Sequence, residues 1–203
     1  LKGASSGDCS HLSSDLFSAL GALESSAGLR RALTDPARDV AAKSNLVSDL
    51  FKSVLKGPAL ALLTQAAGLR WSSPADFADA IEQLAVEAEA AAANSENKLD
   101  SLLDELFGFS KSLVENPDLR SALTNSGDTL ARKIELMKSI FGAKFGSHTI
   151  SLITQIVSGR SGRSIEKTLS AHIHAVTARR NRVNAFISTA IPLTSVQQEK
   201  LAA

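Results

Sequence analysis

Two histidines and one cysteine are the residues of this sequence that most readily suggest a metal site. His172 and His174 belong to the sequence HIH in a predicted helix, where residues two apart point about 200° away from each other. They therefore cannot bind one ion together. Cys9 is the single cysteine among 203 residues, which excludes a disulfide framework and a cysteine-based zinc site. We expect no metal site and no bound cofactor.

The glycines and serines of residues 159–164 are a second candidate for chemistry. Their sequence, GRSGRS, lacks the Gly-Lys-Ser/Thr ending of a phosphate-binding loop, and we interpret it as a turn between two helices. A Ser-His-Asp arrangement can be assembled on paper from any serine-rich sequence, so it carries no weight without supporting geometry. The sequence therefore predicts a protein that is not an enzyme.

Basic residues are concentrated in segment 156–182, where Glu166 is the one acidic residue. The basic residues are Arg160, Arg163, Lys167, Arg179, Arg180 and Arg182. Nucleic-acid binding uses such patches, but this segment has no interleaved aromatic residues, and arginines at a helix C-terminus also interact favourably with the helix dipole. We expect no nucleic-acid partner. An unrelated helical adaptor or nucleic-acid-associated domain is kept as the alternative function.

Composition describes a globular, helix-rich protein. The chain is 44% hydrophobic, 21% charged and 4% aromatic, a balance that favours helices over sheets. The net charge of +1 is divided unevenly, because residues 1–90 carry 8 Lys/Arg and 11 Asp/Glu whereas residues 91–203 carry 14 and 10. This asymmetry is too mild to require a polyanionic partner. No apolar run approaches the roughly 18 residues of a membrane span, so we expect no membrane insertion of this fragment.

Apolar spacing and the five prolines predict an all-α helical bundle. Ser73-Pro74 predicts the start of a helix that runs to about Asn94. Another helix is predicted from an apolar stripe formed by Val40, Val47, Leu50, Phe51 and Val54. The sequence RVNAFISTAIPL at residues 182–193 is rich in β-branched residues and predicts a strand. We expect this strand and the turn after it to begin a truncated C-terminal α/β domain.

Two nearly identical sequences, LRRALTDP at residues 29–36 and LRSALTNS at residues 119–126, predict an internal duplication. With an offset of 90, residues 16–34 and 106–124 are identical at 8 of 19 positions, and the matches continue without a gap. We therefore predict two similar helical bundles in series. Residues 1–93 form the first bundle, residues 94–181 form the second and share helix 74–93, and residues 182–203 start the truncated domain.

Four sequences of the second half carry a family resemblance. They are KLDSLLDELFGFSKSLVENPDLRSALTN, RKIELMKSIF, SLITQIVSGR and RVNAFISTAIPLTSVQQEKL. Residues 80–203 resemble the delta subunit of F-type ATP synthase, the family of the oligomycin-sensitivity-conferring subunit. In the first half, RALTDP and LRWSSPADFADAIE resemble the actinobacterial type, whose N-terminal domain is duplicated. The resemblance implies a noncatalytic stator subunit, peripheral on the cytoplasmic face of the cell membrane, that ties the catalytic head to the peripheral stalk.

The resemblance also implies partners and a binding groove. An N-terminal helix of a head alpha subunit would enter the groove by helix-in-groove recognition, and the peripheral-stalk b subunit would bind mainly through the missing C-terminal domain. The implied groove residues are Leu84, Ala85, Ala88, Ala91, Ala92, Ile150, Ile153, Ile156 and Val157. Residues of these types also form ordinary cores. We expect the second bundle to bind the alpha helix, and the first bundle's partner stays open between a stalk helix and a second alpha subunit.

Overall fold

The computed structural model describes residues 5–125, 127–159 and 163–180. In these ranges the chain forms ten helices and no strand, which confirms the predicted all-α fold. The helices are α1 (Ser6–Ser25), α2 (Ala27–Thr34), α3 (Val40–Phe51), α4 (Gly57–Gly68), α5 (Pro74–Ser95), α6 (Leu99–Glu115), α7 (Pro117–Thr124), α8 (Leu130–Phe141), α9 (Ser147–Ser158) and α10 (Ile165–Arg180). The strand and domain start predicted for residues 182–203 lie outside the described residues.

Side chains and backbone conformation at the helix ends explain where several helices begin and end. Ser5 Oγ accepts the N–H of Asp8 at 3.1 Å, and the Asp8 carboxylate accepts the N–H of Ser5 at 3.3 Å; this capping box starts α1. Ser73 caps α5, and Pro74 occupies its first position, where no N–H is needed. Gly159 ends α9 with a φ of 74°, a conformation that glycine adopts without steric cost.

Helix α5 lies at the centre of the packing. It contacts α1, α2 and α4 on the N-terminal side of the sequence and α6, α9 and α10 on the C-terminal side. Ala85, Ala88 and Ala92 are fully buried, and small side chains at a helix contact allow close approach of the neighbouring backbone. The buried apolar residues of both halves form one continuous cluster. One principal core therefore extends through both halves of the chain.

Helix bounds and end contacts recur along the chain at an offset of 90. Helices α7, α8 and α9 have the bounds of α2, α3 and α4 increased by 90. The Asp15 carboxylate accepts the N–H of Lys56 at 3.1 Å just before α4, and the Glu105 carboxylate accepts the N–H of Gly146 at 2.8 Å just before α9. An internal duplication requires such matches. We call residues 1–93 the first repeat and 94–181 the second; their division into domains stays a prediction.

The stripe predicted for α3 is only partly buried. Val47 and Phe51 are in the core, whereas Val40, Leu50 and Val54 are exposed. The helix ends at Phe51, so Val54 follows it in a turn. Apolar spacing therefore located this helix correctly but overestimated how much of it the rest of the chain covers.

Candidate functional site

The two predicted walls of the groove lie side by side, because α5 and α9 pack against each other. Leu84 keeps 37% of its surface exposed, and Ile150 is half-buried. The other predicted residues are buried, namely Ala85, Ala88, Ala91, Ala92, Ile153, Ile156 and Val157. A partner helix could reach Leu84 and Ile150 directly, but it could reach the buried residues only if neighbouring helices moved. The groove stays a prediction.

Helix α1 packs along α5 and covers part of its alanine-rich face. Cys9 forms a small buried cluster with Ala91 and Ala92. At the edges of this contact, the Ser6 hydroxyl donates to Glu96 at 2.5 Å, and the Ser10 hydroxyl donates to Glu89 at 3.3 Å. These contacts give the lone cysteine a packing role between α1 and α5.

A polar junction joins α5 to the start of α9. His148 Nδ1 lies 2.7 Å from the carboxylate of Glu89, and both residues are buried. His148 Nε2 lies 3.4 Å from the carboxylate of Glu96. Hydrogen bonds from Lys98, then from Ser6 and His148, lower the pKa of Glu96 to about 2. An ionised Glu96 therefore links the end of α5 to both α1 and α9.

A second polar junction joins α5 to α10. His172 Nε2 lies 3.2 Å from the Glu82 carboxylate, and Arg163 donates to the same carboxylate at 2.5 Å. Arg163 also lies 3.0 Å from Asp79. The His172 ring is 1% exposed and meets the ring of Phe17 on α1, with centroids 6.1 Å apart. Three helices from the two repeats therefore meet at His172.

The arginines of α10 and of the turn before it form ion pairs with acidic residues of α5 and α6. Arg179 lies 3.6 Å from Glu87 on α5, and Arg180 lies 2.8 Å from Asp100 on α6. The Arg179–Glu87 pair joins the two repeats, whereas the Arg180–Asp100 pair lies within the second repeat. Three of the six basic residues of segment 156–182, namely Arg163, Arg179 and Arg180, therefore have carboxylate partners within the chain.

The residues considered for metal binding and catalysis lie in a helix or at a helix end. His172 is buried and His174 is exposed, and the described residues contain no group of three or more His, Cys, Asp or Glu able to hold a metal ion. Residues 3–7 read Gly-Ala-Ser-Ser-Gly, a spacing shared with serine hydrolases that our sequence reasoning overlooked. Here the Ser5 hydroxyl donates to the Asp8 carboxylate at 2.7 Å, so it belongs to the α1 cap.

Comparison with known proteins identifies the family. The family model described as ATP synthase delta (OSCP) subunit matches residues 86–203. The chain is 37% identical to the ATP synthase subunit delta of Streptomyces avermitilis over 203 residues, which are 100% of this chain and 74% of the relative. It is 36% identical to the same-named protein of Streptomyces coelicolor, again over 100% of this chain and 74% of the relative. The relative from Kineococcus radiotolerans is 36% identical over 98% of this chain and 72% of its own length. The chain belongs to the ATP synthase delta (OSCP) family.

Membership in the delta (OSCP) family confirms the resemblance seen in the sequence. Subunits of this family are noncatalytic stator parts of the ATP synthase, which is a membrane-bound complex to which they belong peripherally. Among the helices of the described ranges, none is long and apolar enough to cross a membrane. The family-model match includes the C-terminal half of α5 and all of α9. Seven of the nine predicted groove residues lie in this range, and Leu84 and Ala85 lie just before it.

The junction between repeats is the feature that sequence reasoning missed. Glu82 and His172 are themselves 90 residues apart, so they occupy equivalent positions of the two repeats and contact each other. The signal that could have revealed this was the charge asymmetry between the two halves. An acidic α5 followed by a basic α10 favours direct pairing of these helices over separate solvated faces.

Proposed function

We propose that this chain anchors the catalytic head of an F-type ATP synthase to its peripheral stalk by holding the N-terminal helix of an alpha subunit on the second repeat. The observation that carries the proposal is the family match over residues 86–203, which contains α9 and the C-terminal half of α5. The accessible residues on those walls are Leu84 and Ile150. An amphipathic helix with apolar residues at i, i+3, i+4 and i+7 would bury them.

The test is titration of the folded chain with a peptide of the alpha-subunit N-terminus, followed by calorimetry and by the helical signal in circular dichroism. We expect saturable binding and helix formation, and we expect Ile150→Glu to weaken the affinity about tenfold or more. Leu60→Glu is the matched control, because Leu60 is the half-buried equivalent of Ile150 in the first repeat.

Two results would change the proposal. Absence of saturable binding while the chain keeps its native circular dichroism would overturn the head-anchor function. If Leu60→Glu loses binding of the alpha-subunit peptide and Ile150→Glu keeps it, the binding site belongs to the first repeat. Thermal unfolding of each variant shows whether it remains folded at the temperature of the titration.

Contact with the stalk b subunit and location at the cytoplasmic face of the membrane are the remaining parts of the proposal. They rest on family membership, and the predicted stalk-binding region lies outside the described residues. We expect the chain to sediment with membranes from cells that assemble the other ATP synthase subunits and to remain in the supernatant when those subunits are deleted. Membrane binding without the other subunits would contradict a purely peripheral association through the complex.

A further inference from the structure

The N-terminal half of α1 lies over the contact between α5 and α9. Glu89 accepts the Ser10 hydroxyl at 3.3 Å through the same oxygen that lies 2.7 Å from His148 Nδ1. Glu96 accepts the Ser6 hydroxyl at 2.5 Å, and its other oxygen lies 3.4 Å from His148 Nε2. The start of α1 and the start of α9 therefore meet at the same two carboxylates of α5.

Residues 6–13, which we call the α1 lid, have fewer large apolar side chains than the equivalent start of α6. At the offset of 90, the start of α6 buries three leucines, namely Leu99, Leu102 and Leu103. Two of these positions are occupied in the lid by the smaller residues Cys9 and Ser13. Because buried apolar area stabilises a contact in proportion to its size, the lid is held less firmly than the start of α6.

Ser13 adds a cost to the closed position of the α1 lid. It is 1% exposed, and its hydroxyl has no hydrogen-bond partner among the described residues. A buried hydroxyl without a partner is less stable than one that binds water. The part of α1 that follows the lid is held by large side chains of the principal core, namely Leu16, Phe17, Leu20 and Leu23. The lid can therefore open while the rest of α1 stays in place.

Opening of the α1 lid leaves neither carboxylate of α5 without a partner. Glu89 keeps its contact with His148, and Glu96 keeps its hydrogen bond from Lys98 at 2.7 Å. The two serine hydroxyls that leave these carboxylates then bind water. An opening that strands no buried charge avoids the largest cost of separating a polar contact.

We propose that the α1 lid covers the groove of the second repeat in the free chain and lifts when the alpha-subunit helix enters. Cys9 of the lid packs on Ala91 and Ala92, two of the predicted groove residues that are buried. Lifting the lid exposes this part of α5, and an apolar side chain of the entering helix replaces Cys9. The identity of the occupant rests on the head-anchor proposal, whereas opening of the lid does not.

Cys9 reports opening of the lid, because it is the single cysteine of the chain and is 1% exposed. The experiment measures the rate at which a maleimide labels Cys9 in the full chain. We expect slow labelling whose rate hardly depends on dilute urea, since a local opening exposes little surface. Ser6→Ala combined with Ser10→Ala should accelerate labelling about fivefold or more. Ser14→Ala combined with Ser18→Ala is the matched control, because both serines are exposed on α1 outside the lid.

Addition of the alpha-subunit N-terminal peptide tests the lid separately from the head-anchor proposal. We expect the peptide to accelerate labelling of Cys9. The variant with Ser6→Ala and Ser10→Ala should bind the peptide about fivefold more tightly than the wild type, because more of its chains are open. The exposed-serine control should bind the peptide with unchanged affinity.

Three outcomes would overturn part or all of this inference. Labelling in the free chain that depends on urea as steeply as global unfolding would show that no separate lid opens. Peptide binding with unchanged or slower labelling of Cys9 would overturn the lid and leave the head-anchor proposal intact. Absence of binding to the wild type and to the lid variant alike would overturn the head-anchor proposal and with it the occupant, while labelling of the free chain still decides whether the lid opens.

Discussion

At the scale of single residues, the ionisation of Glu96 is coupled to the fold through its hydrogen bonds. Its carboxylate accepts hydrogen bonds from Lys98 at 2.7 Å and from Ser6 at 2.5 Å, and these bonds exist fully only when it is ionised. They therefore lower the pKa of Glu96 from 4.5 to about 2. A depressed pKa means that the folded state gains stability above the ordinary pKa and loses it as the pH falls toward about 2.

We predict that Glu96→Gln reduces the free energy of unfolding at neutral pH and that its difference from the wild type shrinks between pH 4.5 and about 2. Denaturant unfolding at pH values across this window measures the difference. Glu115→Gln is the control, because Glu115 contacts Lys111 at 3.7 Å on an exposed surface and such pairs contribute little. A difference that stays constant across the window would contradict the assignment.

Sequence reasoning identified the residues of the proposed groove by type but not by exposure. Ala88 and Ile153 are each 0% exposed, although the sequence alone allowed them to face a partner. Exposure depends on which helices cover a face, and α1 covers α5 through contacts between residues about 80 apart in the sequence, such as Ser10 and Glu89. Helical periodicity describes a face of one helix and holds no information on the helix that covers it.

At the scale of helices, the close packing of α1 on α5 depends on small side chains. Ala88 is fully buried in α5, and an added side chain there meets a core packed to high density. We predict that Ala88→Leu destabilises the fold by about 1–3 kcal/mol and increases hydrogen exchange in α1. Ala75→Leu makes the same change at an exposed position of α5, and we expect it to have little effect. Equal stability of the two variants would disprove tight packing at Ala88.

Most helix bounds could be predicted from the sequence because their signals are local. The helix predicted from Pro74 to about Asn94 is Pro74–Ser95 in the structure, since a serine cap and a proline fix its start. The stripe of α3 was less predictable, because Val40 and Leu50 have helical spacing but lie on the solvent side. Local capping chemistry fixes where a helix starts, whereas burial depends on tertiary contacts.

At the scale of the whole molecule, α5 joins the two repeats into one unit. The sequence predicts a duplication because its matches keep one offset, and the bounds of α2, α3 and α4 recur at the same offset in α7, α8 and α9. The contact between the repeats could not be predicted, since it joins residues of different types at the offset of 90, such as Glu82 and His172. Two carboxylates at this junction would repel each other. A carboxylate on α5 that meets Arg163 and His172 therefore stabilises the observed contact between the repeats.

Because α5 belongs to the core of both repeats, we predict that damage to the junction destabilises them together. Glu82→Ala leaves Arg163 and His172 without the carboxylate that they share, and breaking such a buried pair costs about 3–5 kcal/mol. Denaturant unfolding should remain one transition, and hydrogen exchange should increase in both α3 and α8. Asp49→Ala removes an exposed ion pair with Lys52 and should cost at most about 1 kcal/mol. Faster exchange in α8 with unchanged α3 would show that the repeats unfold independently, and would contradict the prediction.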